Sequence, residues 1–227
     1  MKIIAILASP HGLKGNTARL LKIVLEGAKK EGARTETVVI NWNKVGPCLG
    51  CNACHVKGRC RQRDDFETIK EKIMEADALI LATPNYIEQV SAQLKAFIDR
   101  CCGVIHCLGF EGRYGAAVLT SGGGGDEPIA GYIDQFLIKV GIRPVGGVWT
   151  AMREIDRKDF PNDITQKAIA LGKNIVVAVR NKPTAKKVEK EMNACRERMR
   201  ALILYRKDEW PYEYKYWQEK QGIIAKD

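Results

Sequence analysis

Between Cys48 and Cys60 the chain places four thiols, Cys48, Cys51, Cys54 and Cys60, at the spacing C-x2-C-x2-C-x5-C; they are half of its eight cysteines. Three thiols at consecutive x2 spacings can wrap round one compact object, and the fourth can close the site. Iron–sulfur clusters take such thiolate sets, and bacterial ferredoxins use a closely similar run. Structural zinc fits less well, because its sites join two Cys or Cys/His pairs across a dozen or more residues. Unliganded thiols and a redox disulfide are the remaining readings, and the spacing alone leaves all four open. His55 lies inside the run and reads as an exposed loop histidine, with a hydrogen bond beside a bound metal as the sharper alternative. Cys101 and Cys102 close an apolar-striped helix and read as core or interface; Cys107 reads as a loop thiol.

Three further loops carry chemistry. The first, Ser9 to Thr17, offers Ser9, Asn16 and Thr17 together with the amides that open a helix. Hydroxyls, free backbone N–H groups and the helix dipole all favour an anion such as a phosphate, although a capped turn without a ligand has the same residues. Gly12 and Gly15 match neither G-x-G-x-x-G nor a P-loop. The second loop is Thr83-Pro84-Asn85-Tyr86, where Tyr86 can stack on a ring or fill the core. The third is Ser121-Gly122-Gly123-Gly124-Gly125, whose bare backbone can approach a flat ligand closely at an entropic cost. One phosphate clamp and two backbone walls describe a mononucleotide flavin site, for FMN rather than FAD or a dinucleotide.

The elements that must position these loops follow from hydrophobic pattern. Apolar strands run over Lys2–Ala8, Thr35–Ile40, Asp77–Thr83 and Tyr114–Ser121, with a weaker one near Arg143–Thr150. They alternate with helices striped by Leu21/Val24/Leu25, Phe66/Ile69/Ile73, Leu94/Phe97/Ile98, Ile129/Ile133/Phe136 and Ile164/Ala168/Leu171. Asp64 or Asp65 is expected to cap the second of these helices, and Ser91 the third. The pattern predicts an α/β fold, a doubly wound five-stranded parallel sheet of order 2-1-3-4-5. Such sheets bind ligands beyond the carboxyl ends of their strands, which brings the three loops together. Lys182-Pro183 marks a boundary, giving residues 1–181 as the FMN-binding domain with the cysteine-rich loop 48–65, and 182–227 as a C-terminal extension. There Val188, Met192, Cys195, Met199 and Leu202 form a narrow apolar seam, followed by Trp210, Tyr212, Tyr214, Tyr216 and Trp217. This reads as a helix and aromatic tail that wrap the core or a neighbouring subunit, with a substrate lid or docking arm as the sharper option.

With 227 residues, 45% hydrophobic and 28% charged, the composition is that of a globular protein. No apolar stretch reaches the ~18 residues that a membrane span needs. The start, Met-Lys-Ile-Ile-Ala-Ile-Leu, reads as a strand rather than a signal peptide, so a cytoplasmic, reducing setting is expected, where thiols serve metal or redox chemistry. The net charge of +10 is spread along the chain. Without a basic block or nucleic-acid motif it points to a phosphate-bearing cofactor or an acidic electron-transfer protein, and away from nucleic acid and membrane.

Ser9-Pro10-x5-Asn16-Thr17, the cysteine quartet followed by Asp64-Asp65, Thr83-Pro84-Asn85-Tyr86 and Leu94-Lys95-Ala96-Phe97-Ile98-Asp99-Arg100 together resemble the NAD(P)H-dependent FMN reductase family, which is flavodoxin-like. The complete quartet is similar to the iron–sulfur flavoprotein branch of that family, and the resemblance covers about residues 1 to 180. It implies FMN held by Ser9, His11, Asn16, Thr17, Pro84, Asn85, Tyr86, Ile87, Ser121, Gly122, Gly123 and Gly124. It also implies a 4Fe-4S cluster on Cys48, Cys51, Cys54 and Cys60, and a homodimer or homotetramer built partly through the Asp99-Arg100 helix. His11 departs from the family, which commonly has Arg there, and the resemblance supplies no counterpart for the tail after Lys182. The expected function is an FMN-dependent oxidoreductase that passes electrons between NAD(P)H, or an acidic donor such as a ferredoxin, and an acceptor through the cluster. A plain FMN or quinone reductase without a cluster is the alternative, and a zinc or thiol redox-sensing module is another. No Ser-His-Asp or paired-carboxylate constellation is needed, because the chemistry belongs to the flavin.

Overall fold

The structure, a computed structural model, describes residues 1–41, 44–152 and 159–220. Five strands run parallel: β1 (Lys2–Leu7), β2 (Arg34–Val39), β3 (Ala78–Tyr86), β5 (Tyr114–Ser121) and β6 (Arg143–Ala151). Their order is β2-β1-β3-β5-β6, the expected 2-1-3-4-5 arrangement of a flavodoxin-like sheet. A sixth, two-residue strand, β4 (Gln89–Val90), adds antiparallel pairing at the end of β3. The helices between them are α1 (Asn16–Lys30), α2 (Ala53–Lys57), α3 (Phe66–Met74), α4 (Ala92–Arg100), α5 (Cys102–Cys107) and α6 (Glu127–Lys139), and α7 (Asn162–Asn181) follows β6. Two more, α8 (Lys186–Tyr205) and α9 (Pro211–Lys220), follow. Among the described residues no helix is long and apolar enough to cross a membrane.

Side chains alternate across the strands, so each face of the sheet has its own core. Ile4, Ile6, Leu79, Leu81 and Leu119 pack with Phe66, Phe97, Ile133 and Phe136 on the side of α3, α4 and α6. Ile3, Ala5, Leu7, Ile80 and Val118 pack with Leu21, Val24, Ala168 and Ile175 on the side of α1 and α7. On that second side α1 and α7 touch backbone to backbone through Gly27 and Gly172. A Cβ on Gly172 would lie 2.7 Å from the Ala28 nitrogen and closer still to the Val24 carbonyl.

Two expectations are corrected by the backbone. Thr83-Pro84-Asn85-Tyr86 is not a turn: β3 continues through Tyr86, with Asn85 facing Val90 and Tyr86 facing Gln89. The reversal falls on Ile87 and Glu88, at φ 51° and 58°. A two-residue hairpin of type I′ needs positive φ at both central positions, and the sequence lacks the Asn-Gly signal that normally supplies it. Cys101 caps the end of α4 and is buried in the core, as expected, but Cys102 opens α5 instead of closing α4.

The extension folds back on its own chain. Met199, Ile203 and Trp217 form a third apolar cluster with Leu108, and Trp217 is fully buried, donating its indole N–H to the His106 carbonyl at 3.0 Å. The aromatic tail is therefore helix α9, laid against α2 and α5, which carry part of the cysteine loop and the segment after α4.

Candidate functional site

The carboxyl ends of β1 and β3 are stitched together before any ligand is considered. Ser91 donates its hydroxyl to the Ala8 carbonyl at 2.7 Å, and its N–H goes to the Thr83 hydroxyl at 3.0 Å. Ser9 and Thr17 are buried, whereas His11 is exposed and Asn16 half-buried. Thr17 Oγ1 lies 2.7 Å from Thr120 Oγ1, which joins the first loop to the strand that leads into the glycine run. α1 begins after Gly15, which has no side chain to cap the amides of the first turn. A Cβ on Gly15 would stand 2.9 Å from the His11 Cβ, so only glycine lets the loop close this tightly.

Opposite lie the other two loops. Asn85 donates from Nδ2 to the Gly124 carbonyl and to Asp126 Oδ1, both at 3.1 Å. Ser121 donates to Asp126 Oδ2 at 2.8 Å and accepts from the Gly124 N–H at 3.0 Å. Between these loops is an open cleft of about 680 Å³, lined by Asn85, Tyr86, Ile87, Glu88 and Ser121 to Gly124. That volume lies in the range of cofactor clefts. Gly124 needs glycine for its φ of 110°. Gly122 and Gly123 have no positive φ, and a Cβ on either would meet nothing within 4 Å. Nothing among the described residues demands glycine at those two positions; their bareness keeps the wall low, as close approach of a flat ring requires. Ile87, 97% exposed in a left-handed conformation that β-branched residues avoid, stands at the rim. The residues present thus fit FMN. Ser9 to Thr17 join the cleft through the threonine pair rather than lining it, and Pro84 is buried in β3. A second cavity of about 630 Å³, unread from the sequence, shares Gly124 and extends to Trp149, Thr150 and Ile164.

The cysteine loop is held at both ends. Arg100 donates to both oxygens of Asp64, at 2.8 and 3.0 Å, and to the Gly46 carbonyl at 3.1 Å, while its guanidinium lies 4.7 Å over the Phe66 ring. Burial opposes ionisation of Asp64, but hydrogen bonds from Arg100, Gly46 and Phe66 hold its carboxyl below the usual value. Asp64, rather than the helix-preceding Asp65, accepts the Phe66 N–H. Arg100 therefore faces inward; of the Asp99-Arg100 pair only Asp99 points out, where it meets Lys95 at 2.6 Å. All four thiols are free, with Cys48 and Cys51 exposed and Cys54 and Cys60 half-buried. The Gly50 N–H donates to Cys48 Sγ at 3.5 Å, and Lys57, Arg59, Arg61 and Arg63 surround the loop at the surface. Free thiols, an amide already on sulfur and nearby cations fit a thiolate-held cluster.

His55 is not an exposed loop residue. It lies on α2, 5% exposed, because α9 covers it. Its Nδ1 lies 2.6 Å from Oε1 of Glu213, and Nδ1 of His106 lies 2.9 Å from Oε2 of the same carboxylate. Cys102 Sγ stands 3.9 Å from Nε2 of His55 and 3.8 Å from Nε2 of His106. Burial works against charge on His55, yet hydrogen bonds to Cys102, Cys54 and Glu213 push its pKa up to about 12. The same contest puts His106 at about 9. The bonds from His106 and His55 bring Cys102 down to about 6. Cys107, read as a loop thiol, is buried at the end of α5. The only sequence signal for this group was Cys102-x3-His106, one face of a helix; His55 and Glu213 are 158 positions apart.

A doubly wound sheet with this cleft at its carboxyl edge defines a flavodoxin-like protein. The profile of the NADPH-dependent FMN reductase family matches residues 1–156, so the chain belongs to that family and is a flavin-dependent oxidoreductase. An iron–sulfur flavoprotein of Archaeoglobus fulgidus is 34% identical over 228 residues, spanning 99% of this chain and 100% of that one, so the extension after Lys182, expected to lack a counterpart, has one there. An iron–sulfur flavoprotein of Methanocaldococcus jannaschii is 36% identical over 140 residues, 61% of this chain and 72% of the relative. Among solved structures a flavone reductase superposes with a TM-score of 0.63 at 15% identity, over 80% of this chain and 64% of the other, a likeness of fold.

Proposed function

We propose that the chain is an iron–sulfur flavoprotein, passing electrons between NAD(P)H or a ferredoxin-like donor and an acceptor through FMN and a 4Fe-4S cluster on Cys48, Cys51, Cys54 and Cys60. The observation that supports it most is the combination, in one chain, of the bare-walled cleft at Asn85–Ile87 and Ser121–Gly124 with four free thiols on a clamped loop. Bound FMN supplies both hydride and single-electron chemistry. Around it, the Thr17 hydroxyl and the uncapped amides of α1 take the phosphate, and Ser9, His11 and Asn16 complete that end. Asn85, fixed by Gly124 and Asp126, holds one wall in register with the other. The cations Lys57, Arg59, Arg61 and Arg63 offset thiolate charge, and the groove of about 600 Å³ that they line beside Cys60 suits an acidic donor. Residues 1–181 form the FMN-binding unit in this reading, with 182–227 as its covering extension, in a homodimer or homotetramer.

Thr17→Val tests the placement of the phosphate. Losing one charge-assisted hydrogen bond should weaken FMN binding by ~1–3 kcal/mol, roughly 5- to 150-fold in Kd. Thr120→Val breaks the same threonine pair from the other side and should change the affinity far less. Anaerobic fluorescence titration with FMN reads both. Equal effects of the two variants, an unchanged affinity in Thr17→Val, or FAD as the flavin in purified protein contradicts the assignment.

A further inference from the structure

From within the cysteine loop, next in sequence to Cys54, His55 meets Cys102 and His106 of α5, and each of the three brings one nitrogen or sulfur ligand to within 4.8 Å of the others. A zinc–sulfur bond of ~2.3 Å and a zinc–nitrogen bond of ~2.0–2.1 Å, meeting between tetrahedral and trigonal angles, put S and N ~3.6–3.8 Å apart. The two Sγ–Nε2 distances, 3.9 and 3.8 Å, are therefore close to what a shared ion needs. Behind the rings, Glu213 is fully buried and engages both Nδ1 atoms. One carboxylate thus takes both Nδ1–H groups and turns both Nε2 atoms toward Cys102, the outer arrangement that orients metal-bound histidines and raises their basicity. The rings stack on each other at 4.8 Å and Trp210 stacks on them at 4.6 and 5.0 Å; two zinc–nitrogen bonds need their Nε2 atoms ~3.3–3.6 Å apart, so the stacked rings tilt together when they share an ion. Cys102 and His106 sit one turn apart on α5, so one helix face presents two of the three ligands.

We propose that His55, Cys102 and His106 bind one divalent transition-metal ion, with Glu213 as their common outer carboxylate and a fourth position left for water or a small ligand. A set of two imidazoles and one thiolate selects a borderline ion such as zinc and disfavours magnesium or calcium. Binding displaces the Cys102 proton and any proton on either Nε2, all to solvent. The ion joins α2 to α5 and, through Glu213, fastens α9 over the cysteine loop. Its three ligands are distinct from Cys48, Cys51, Cys54 and Cys60, although the Cys54 thiol hydrogen-bonds His55.

Cobalt(II), which reports thiolate ligation by charge-transfer absorption, is the probe. It is titrated without oxygen into the FMN-loaded, full-length wild type, Cys102→Ser and Cys48→Ser, with iron counted separately in each. The wild type should take up one more cobalt per chain than Cys102→Ser, and Cys48→Ser should keep that extra ion whatever its iron content. Glu213→Gln, which retains all three ligands and the side-chain volume, should bind the extra cobalt roughly 10- to 100-fold more weakly. Equal uptake by wild type and Cys102→Ser, loss of the extra ion in Cys48→Ser, or unchanged affinity in Glu213→Gln overturns the proposal. Absence of iron from the wild type bears on the cluster alone.

Discussion

Cys51→Ser is expected to remove the irons from the protein, about four per chain for a cubane held by four thiolates, while FMN stays bound. Cys51 is exposed on the loop and remote in sequence from the strand-end residues that line the flavin cleft. It is a cleaner choice than Cys54, whose thiol also hydrogen-bonds His55 and so reaches a second group of residues. In the variant, reduction of the flavin by a one-electron donor such as reduced ferredoxin should fall to the rate of iron-free protein. Direct reduction by NAD(P)H, where the wild type shows it, should persist. Stopped-flow absorbance after anaerobic mixing separates the two routes. Retention of the full iron complement would show that Cys51 is no ligand.

The largest stability effect should come from a methyl group far from the site. Gly172→Ala pushes a Cβ into the backbone of α1, against the Val24 carbonyl and the Ala28 nitrogen, and Gly27 leaves no side chain there to yield. Overpacking of a core usually costs ~1–3 kcal/mol, and contact between two helix backbones belongs at or above the top of that range. For a chain of this size ~3 kcal/mol corresponds to a drop of about 6–12 °C in Tm. Gly131→Ala on α6 is the control. A Cβ there meets nothing within 4 Å, so higher helix propensity should leave the protein unchanged or up to ~1 kcal/mol more stable. Equal melting temperatures for the two variants would contradict the close α1–α7 contact.

What the sequence made legible follows from range. The runs Ile3–Leu7 and Ala78–Ala82 are apolar on both faces, as strands of a covered parallel sheet are, and they appear where expected. Short-range chemistry was also visible: Ser91 caps α4, and the glycine run ends a strand. The turn at Ile87–Glu88 was hidden because neither residue favours positive φ, so tertiary pairing of β4 with β3 overrides local preference there. Gly27 and Gly172 lie inside α1 and α7, and only the packed helices show why they are glycine. The group round Glu213 was least legible. The cue Cys102-x3-His106 is common in helices, and the burial of His55 depends on α9, a charged aromatic segment whose docking no local pattern announces.

The most direct measurement is one count: iron, acid-labile sulfide and FMN per chain in protein made and kept without oxygen. A cluster-bearing flavoprotein should give about four irons, about four sulfides and one FMN, with visible absorption broader than that of flavin alone. Protein that carries one FMN with neither iron nor sulfide would contradict that reading, and would make the chain a plain FMN reductase whose cysteine loop binds no cluster.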